Sequence, residues 1–257
     1  DATSGAITLP STNFALSGTS SDLADALSGN FSNYAGAVTL TDAAPSAANL
    51  AIINNKTSGT ITLNADDATF SGTAADLSAA FSGGLQNTQT GAVTITDTSG
   101  TIAATVLSGI GGQTDGVVTA ASAGITISGS ATELTAALVT TGSLVVAANA
   151  DVTINDSSGT IAATVLSAIG AKTGGTVTAS SGGITISGTD SELVAALHTG
   201  SSKVVASSAI VSLTGNASVA NIGNILDKTS GTVSYSLSDT ASAIDGASTS
   251  VLNGATN

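Results

Sequence analysis

Short runs of alternating apolar and hydroxyl residues recur along the chain. The runs VTLTD, VTITD and VTIND begin at Val38, Val93 and Val152. Strict alternation over four or five residues is typical of a β-strand that buries one face. The alternation therefore predicts a short strand at each of these places, with its valine and isoleucine side chains directed into a core.

Between the strands, apolar residues fall four positions apart, which is the spacing of one face of an α-helix. The pairs are Leu23 and Leu27, Leu77 and Phe81, Leu134 and Leu138, and Leu193 and Leu197. Two longer stripes have the same spacing: Ile102, Val106 and Ile110, and Ile161, Val165 and Ile169. The spacing predicts a helix at each of these places.

A capping signal precedes several of these helices. In the clearest case Thr189 is followed three residues later by Glu192, the arrangement of a capping box. The equivalent pairs are Ser130 with Glu133, Thr73 with Asp76 and Thr19 with Asp22. Gly111 and Gly170 follow the two longer stripes, and we expect them to end those helices as left-handed C-caps.

The same elements return at a fixed period. Gly18, Gly72, Gly129 and Gly188 occupy the same place in matching strings and are 54, 57 and 59 positions apart. Residues 96–130 and 155–189 are identical at 25 of 35 aligned positions. Because each long period contains two related halves, the repeating unit has about 28 residues, which is in the range of solenoid repeats.

We therefore predict an α/β solenoid of stacked strand-turn-strand-helix coils, with parallel sheets and one helical face. A single coil has too few aliphatic side chains to offset the conformational entropy of its residues, at about 1 to 2 kcal/mol each, so the coils must stack. The prediction treats 1–257 as one repeat domain of about eight or nine coils, with the strongest repeats in 69–215. The terminal coils, 1–29 and 232–257, show no polar cap, and we expect them at subunit interfaces.

Composition narrows the range of partners and locations. The chain has 17 acidic residues, four lysines and a net charge of −13, which argues against nucleic acid and anionic lipid as partners. No run of about 18 apolar residues occurs, so we expect no membrane insertion. Cysteine and methionine are absent, and the missing initial methionine leads us to expect that a leader has been removed.

Few residues are available for catalysis. The one histidine, His198, follows a helical pattern, and we interpret it as a solvated residue at the helix end. With one histidine and no arginine, a hydrolase triad or a phosphate clamp has almost nothing to draw on. We therefore expect no enzyme and no catalytic residue; a β-helical polysaccharide lyase or hydrolase would need a carboxylate cluster with a basic partner.

Carboxylates form the remaining candidate site. Asp42, Asp97 and Asp156 recur directly after the alternating runs, where they could stack as a ladder. One interpretation, which we favour, is that each caps a turn or the coming helix. The other is a row of calcium sites that bridge successive coils. Calcium is the only cofactor that the sequence leaves open.

Three strings carry a resemblance to known proteins: ITISGTDSELVAAL from Ile184, VTINDSSGTIAATVLSAIG from Val152 and YSLSDTASAID from Tyr235. They resemble the Ala/Thr/Gly-rich β-α tandem repeats of large secreted surface proteins from cyanobacteria and proteobacteria. The resemblance covers roughly residues 5 to 245. It implies export to the cell exterior and a role in surface layers, adhesion or extracellular fibres, but it transfers no functional residue.

Two functions remain as hypotheses. The first is an extracellular bacterial structural protein that polymerises end to end with copies of itself into a filament or surface lattice, because open solenoid ends present unpaired strand edges. The alternative is an adhesin or stalk that binds a glycan or calcium on its side wall.

Overall fold

The computed structural model describes residues 14–29, 34–86, 89–199 and 202–254. The chain is an α/β protein with several parallel sheets, which confirms the predicted class at that level. It forms two compact units. The first unit contains Asp1–Thr98, Thr105–Ser122 and Thr140–Val146, and the second contains Ser99–Ala104, Ala123–Val139 and Ala147–Asn257.

The helices of the described ranges are short, and from α1 to α8 their starts recur at nearly regular intervals. They are α1 (Ser20–Ser28), α2 (Ala47–Lys56), α3 (Ala74–Phe81), α4 (Ala104–Gly111), α5 (Ala131–Leu134), α6 (Ala163–Gly170), α7 (Asp190–Leu197), α8 (Val219–Leu226), α9 (Ala241–Asp245) and α10 (Thr249–Asn253). α5 continues into a π-helical turn, Thr135–Val139.

The strands of the same ranges are short as well. They are β1 (Leu16–Gly18), β2 (Val38–Leu40), β3 (Ile61–Thr62), β4 (Phe70–Gly72), β5 (Val93–Ile95), β6 (Gly100–Ala103), β7 (Val118–Thr119), β8 (Ile125–Gly129), β9 (Val145–Val146), β10 (Asp151–Ile154), β11 (Gly159–Ala162), β12 (Val177–Thr178), β13 (Ile184–Gly188), β14 (Val204–Val205), β15 (Ile210–Ala217) and β16 (Val233–Leu237).

The predicted capping signals start the helices as expected. The Ser130 and Thr189 side chains accept from the backbone N–H three residues on, and Glu133 and Glu192 complete both capping boxes. The Thr19 hydroxyl likewise accepts from the Asp22 N–H, over 3.2 Å, but it also donates to the Asp22 carboxylate over 2.8 Å. The aspartate side chain is one methylene shorter than glutamate, which accounts for the different contact.

The helical stripes were only partly predicted. All four leucine-based pairs are buried, as expected. Ile102 and Ile161, however, lie in β6 and β11 rather than in the helices that follow. The buried face of α6 consists of Ala163, Leu166, Ile169 and Gly170, so the leading isoleucine of each stripe belongs to a strand whose inward face meets the same core.

Gly111 and Gly170 are not left-handed caps. Both are the last residues of their helices, and neither is among the described residues with positive φ. A Cβ at Gly111 would lie 2.1 Å from the Ser143 carbonyl oxygen, and one at Gly170 would lie 1.9 Å from that of Ser202. Close approach of another backbone segment, rather than turn geometry, therefore requires glycine at both positions.

The first unit contains two separate parallel sheets in its described part. One has the strand order β1-β2-β3 and the other β4-β5-β7-β9. The helices pack leucine and isoleucine side chains into its core, where Phe70 and Phe81 meet edge to face at 5.1 Å between ring centroids. This aromatic pair is worth roughly 1 kcal/mol beyond its buried area.

The second unit also contains two separate parallel sheets in its described part. Their strand orders are β14-β12-β10-β8-β6 and β11-β13-β15-β16. Its largest core side chains are aliphatic, with Tyr235 the exception. Consecutive strands such as β12 and β13 enter different sheets, so the chain visits both sheets before it reaches the next helix.

Paired strands are separated by similar lengths of chain. In the first unit Leu16 pairs with Val38, and Val118 pairs with Val145. In the second unit each copy of the duplicated segment forms its own strand pair, β6 with β8 and β11 with β13. The register is the same in both copies, because Gly100 lies opposite Ile125 and Gly159 lies opposite Ile184.

Candidate functional site

Carboxylates that follow strands of the repeat bind the starts of helices. Asp97, after β5, accepts a hydrogen bond of 2.7 Å from the backbone N–H of Ala74, the first residue of α3. Asp156, after β10, accepts one of 2.7 Å from the N–H of Ala131, the first residue of α5. The first amides of a helix have no partner within the helix, and a negative charge there also interacts favourably with the helix dipole.

The same arrangement occurs in two other places. Asp42 Oδ2 accepts from both the N–H and the hydroxyl of Ser20, over 3.1 and 2.6 Å, at the start of α1. Asp239 Oδ2 accepts from the N–H of Val219 over 3.0 Å, at the start of α8. In all four cases the carboxylate lies 20 to 25 positions after the residue that it binds.

The helix that each carboxylate binds is thus the preceding one, and not the coming helix that the sequence analysis favoured. After Asp42 the coming helix, α2, has a cap of its own, because the Ser46 side chain accepts from Asn49 N–H. After Asp156 the coming helix, α6, begins without a side-chain cap. The parallel pairing of strands explains this contact. The end of each strand lies beside the end of the earlier strand with which it pairs, and the helix that follows that earlier strand begins there.

The calcium ladder stays a prediction. Within the described ranges, no three or more Asp, Glu or His side chains are grouped so that they could hold a metal ion. Asp42 has one oxygen, Oδ1, that is buried without a hydrogen-bond partner in this part of the chain. Asp42 is therefore the position at which a calcium titration would be most informative.

A second contact between successive strands was missed by the sequence analysis. Four turns contain the pattern Thr-x-Gly, in which the threonine hydroxyl accepts from the glycine N–H and donates to a carbonyl 20 to 25 positions earlier. For Thr114 both bonds are 2.9 Å long, from Gly116 N–H and to Gln89 O. The other threonines are Thr57, Thr173 and Thr229. The contact could have been predicted from the recurring strings KTSG, QTDG, KTGG and KTSG, which contain this pattern.

Outer strands present exposed apolar residues in both units. Val146 on β9, in the first unit, and Val205 on β14, in the second, are each 45% exposed. Both strands lie at the end of their sheet in the described part of the chain. An exposed edge strand with an apolar side chain is a typical place for another chain to pair.

The outer strand β16 differs because a helix covers its central residue. The Tyr235 side chain is 2% exposed, and its hydroxyl donates to the carbonyl oxygen of Val251 in α10. Burial raises the pKa of Tyr235. α10 thus covers part of the C-terminal region 232–257, where Val251 is the only buried residue of α9 and α10. The placement of this region at a subunit interface stays a prediction.

His198 lies where the sequence predicted, as the exposed C-cap of α7, and its N–H donates to the Val194 carbonyl. It lines a surface groove of about 240 Å³ together with Lys203 and Lys228. Asp227 and Lys228 line a neighbouring groove. His198, Lys203 and Lys228 thus place three basic groups around one depression of an acidic chain.

The structure contains no helix, within the described residues, with the length and apolar character needed to cross a bilayer. No family model, curated protein or solved structure matches the chain.

Proposed function

We propose that the chain is an extracellular structural protein of a bacterial surface that assembles end to end with copies of itself into a filament or lattice. In this proposal the repeating strands and helices are the coils of an α/β solenoid, and each coil completes the one before it. The proposal extends to the cell exterior on the strength of the composition and of the resemblance to secreted repeat proteins.

The contacts between successive repeats support the proposal. A carboxylate satisfies the start of the preceding helix, as Asp156 does for Ala131, and a threonine hydroxyl binds an earlier carbonyl, as Thr114 does for Gln89. These contacts use residues of the repeat itself, so a second copy of the chain could supply the same contacts. Contacts of this head-to-tail kind do not close on themselves and generate fibres.

The single observation that carries the proposal is the way β16 is covered. β16 is the outer strand of a parallel sheet in the described residues, and α10 covers its Tyr235 with the buried side chain of Val251 and accepts the Tyr235 hydroxyl at the Val251 carbonyl. The exposed Leu252 and Ile244 of the same tail contribute little burial. A helix of five residues with one buried side chain can be displaced, and displacement would leave a strand edge and an apolar surface for another copy.

Sedimentation velocity and negative-stain electron microscopy of the purified chain test the proposal. We expect rods or filaments to appear as the protein concentration is raised. Val251→Asp should lower the concentration at which they appear, because a buried carboxylate displaces α10. Leu252→Asp is the matched control, since Leu252 is 41% exposed on the same helix, and it should behave as the wild type. Only monomers at high concentration for all three proteins would contradict end-to-end assembly.

A further inference from the structure

Three of the five basic residues of this chain line one groove of the second unit. The chain has four lysines and one histidine against 17 acidic residues. His198, Lys203 and Lys228 all line the groove of about 240 Å³. All three side chains are exposed, and none of them forms an ion pair within the described residues.

The duplicated segment provides an internal reference for this groove. At a separation of 59 positions, His198 corresponds to Val139 and Lys203 to Leu144. Lys203 and Leu144 have nearly the same left-handed backbone, with φ of 55° and 53°. Lysine offers no conformational advantage over leucine there, because both carry a Cβ and are equally disfavoured at positive φ. The difference between the copies is therefore one of charge rather than of backbone geometry.

Hydroxyl groups complete the lining. Thr176, Thr199 and Ser202 line the groove beside the cations. The Thr199 and Ser202 hydroxyls donate to the carbonyl oxygens of Ala195 and Thr199. The Thr176 side chain is exposed, and it corresponds to Val117 in the other copy. A groove of 240 Å³ is smaller than the sites of about 300 to 1,000 Å³ that hold drug-sized ligands. It has room for one sugar ring and not for a buried chain.

Taken together, the geometry points to a binding site for the carboxylate of a small acidic saccharide, a single uronate residue. The ammonium groups of Lys203 and Lys228 and the imidazole of His198 would bind the carboxylate, and the exposed hydroxyl of Thr176 would bind the ring. The net charge of −13 disfavours a long polyanion, which the field of the rest of the molecule repels. This site is independent of end-to-end assembly.

Proton NMR of the full chain provides a direct test, because the one histidine gives imidazole signals that need no assignment. We expect D-galacturonate to shift the His198 signals in a saturable manner with a millimolar Kd, and added salt to weaken binding. Neutral D-galactose and acetate at the same concentrations separate the sugar from the carboxylate, and neither should match galacturonate.

Two variants place the binding in the groove. Lys203→Leu restores the residue of the other copy and should weaken galacturonate binding about threefold to fivefold, the effect of one exposed charge pair. Lys172→Gln removes a lysine outside the groove, in an equivalent Thr-x-Gly turn, and should leave binding unchanged. Equal weakening by both variants would overturn the assignment, since it would reflect net charge alone.

Other outcomes would also overturn the proposal. Equal shifts with acetate and galacturonate would mean a general anion site without sugar recognition. A shift of the His198 signals with protein concentration alone, which galacturonate does not alter, would mean that acidic side chains of a second copy occupy the groove. No shift at any galacturonate concentration would exclude the site.

Discussion

The two copies of the duplicated segment keep the same strand pairing but differ in the residues beyond the paired strands. In the first copy Ile102 pairs with Ile127, and in the second Ile161 pairs with Ile186, with all four side chains buried. Beyond the pairs, Leu144 is replaced by Lys203 at the same backbone conformation. Positions that complete the core are thus retained, whereas positions at the surface are free to change.

This comparison separates two kinds of constraint. A buried position in a short strand is fixed by its neighbours on the paired strand and in the core, so both copies must keep its size and shape. A surface position is constrained only by local backbone geometry, which lysine and leucine satisfy equally. Repetition therefore maintains the scaffold, and chemistry can be introduced in one copy without altering the other.

The largest effect is expected at Gly111 and Gly170. It tests whether another backbone segment approaches the helix end equally closely in both copies. Gly170→Ala and Gly111→Ala should each destabilise the protein by about 3 kcal/mol or more, because the added Cβ would meet a carbonyl oxygen. Gly109→Ala, in α4 with nothing within 4 Å of its Cβ position, is the control and should stabilise by up to about 1 kcal/mol. Urea unfolding followed by circular dichroism measures all three. Tolerance of alanine at only one of the two clash positions would break the equivalence.

A smaller effect is expected at Asp97 and Asp156, the two carboxylates that bind helix starts. Asp97→Ala and Asp156→Ala should each cost about 1 kcal/mol, since each removes the partner of a helix-start amide. The comparison can be sharpened by repeating the thermal unfolding of wild type in calcium and in a chelator. If the carboxylates act as caps, Tm will be the same in both solutions; a rise of Tm with calcium that both variants abolish would support the calcium ladder instead.

The smallest effect is expected at Glu192, the glutamate of a capping box. The N–H and hydroxyl of Thr189 hold the pKa of Glu192 below its usual 4.5. A lowered pKa in the folded state contributes stability above pH 4.5, and that contribution is lost as the pH falls below this value. Glu192→Gln should therefore lose less stability than wild type between pH 7 and pH 3, as measured by urea unfolding. An identical pH dependence would show that the bond adds nothing in solution.

Much of the local structure could be predicted from the sequence. The alternating runs and the pairs such as Thr189 with Glu192 located strands and helix starts correctly, because these signals depend only on neighbours within four residues. The partner of each strand could not be predicted in the same way, since strands of such similar sequence can be aligned with one another in several ways.

Less of the candidate site than of the local structure could be predicted from the sequence. Asp42, Asp97 and Asp156 were identified, but the helices that they bind lie earlier in the chain, and only the strand pairing reveals this. The groove at His198 was missed because Lys203 and Lys228 are 25 positions apart and meet only through the fold. The role of Gly170 was misassigned because a helix-terminal glycine is also the usual signal of a left-handed cap.

The backward direction of the carboxylate contacts has a consequence for biogenesis. A helix such as α3 has its first amide satisfied only when Asp97, 23 positions further on, has joined the fold. A chain that leaves a ribosome or a secretion channel from its N-terminus would therefore leave each newly formed segment incomplete until the next one emerges. Folding of this protein would then proceed from the N-terminus towards the C-terminus. At each stage the least stable segment would be the one that emerged last.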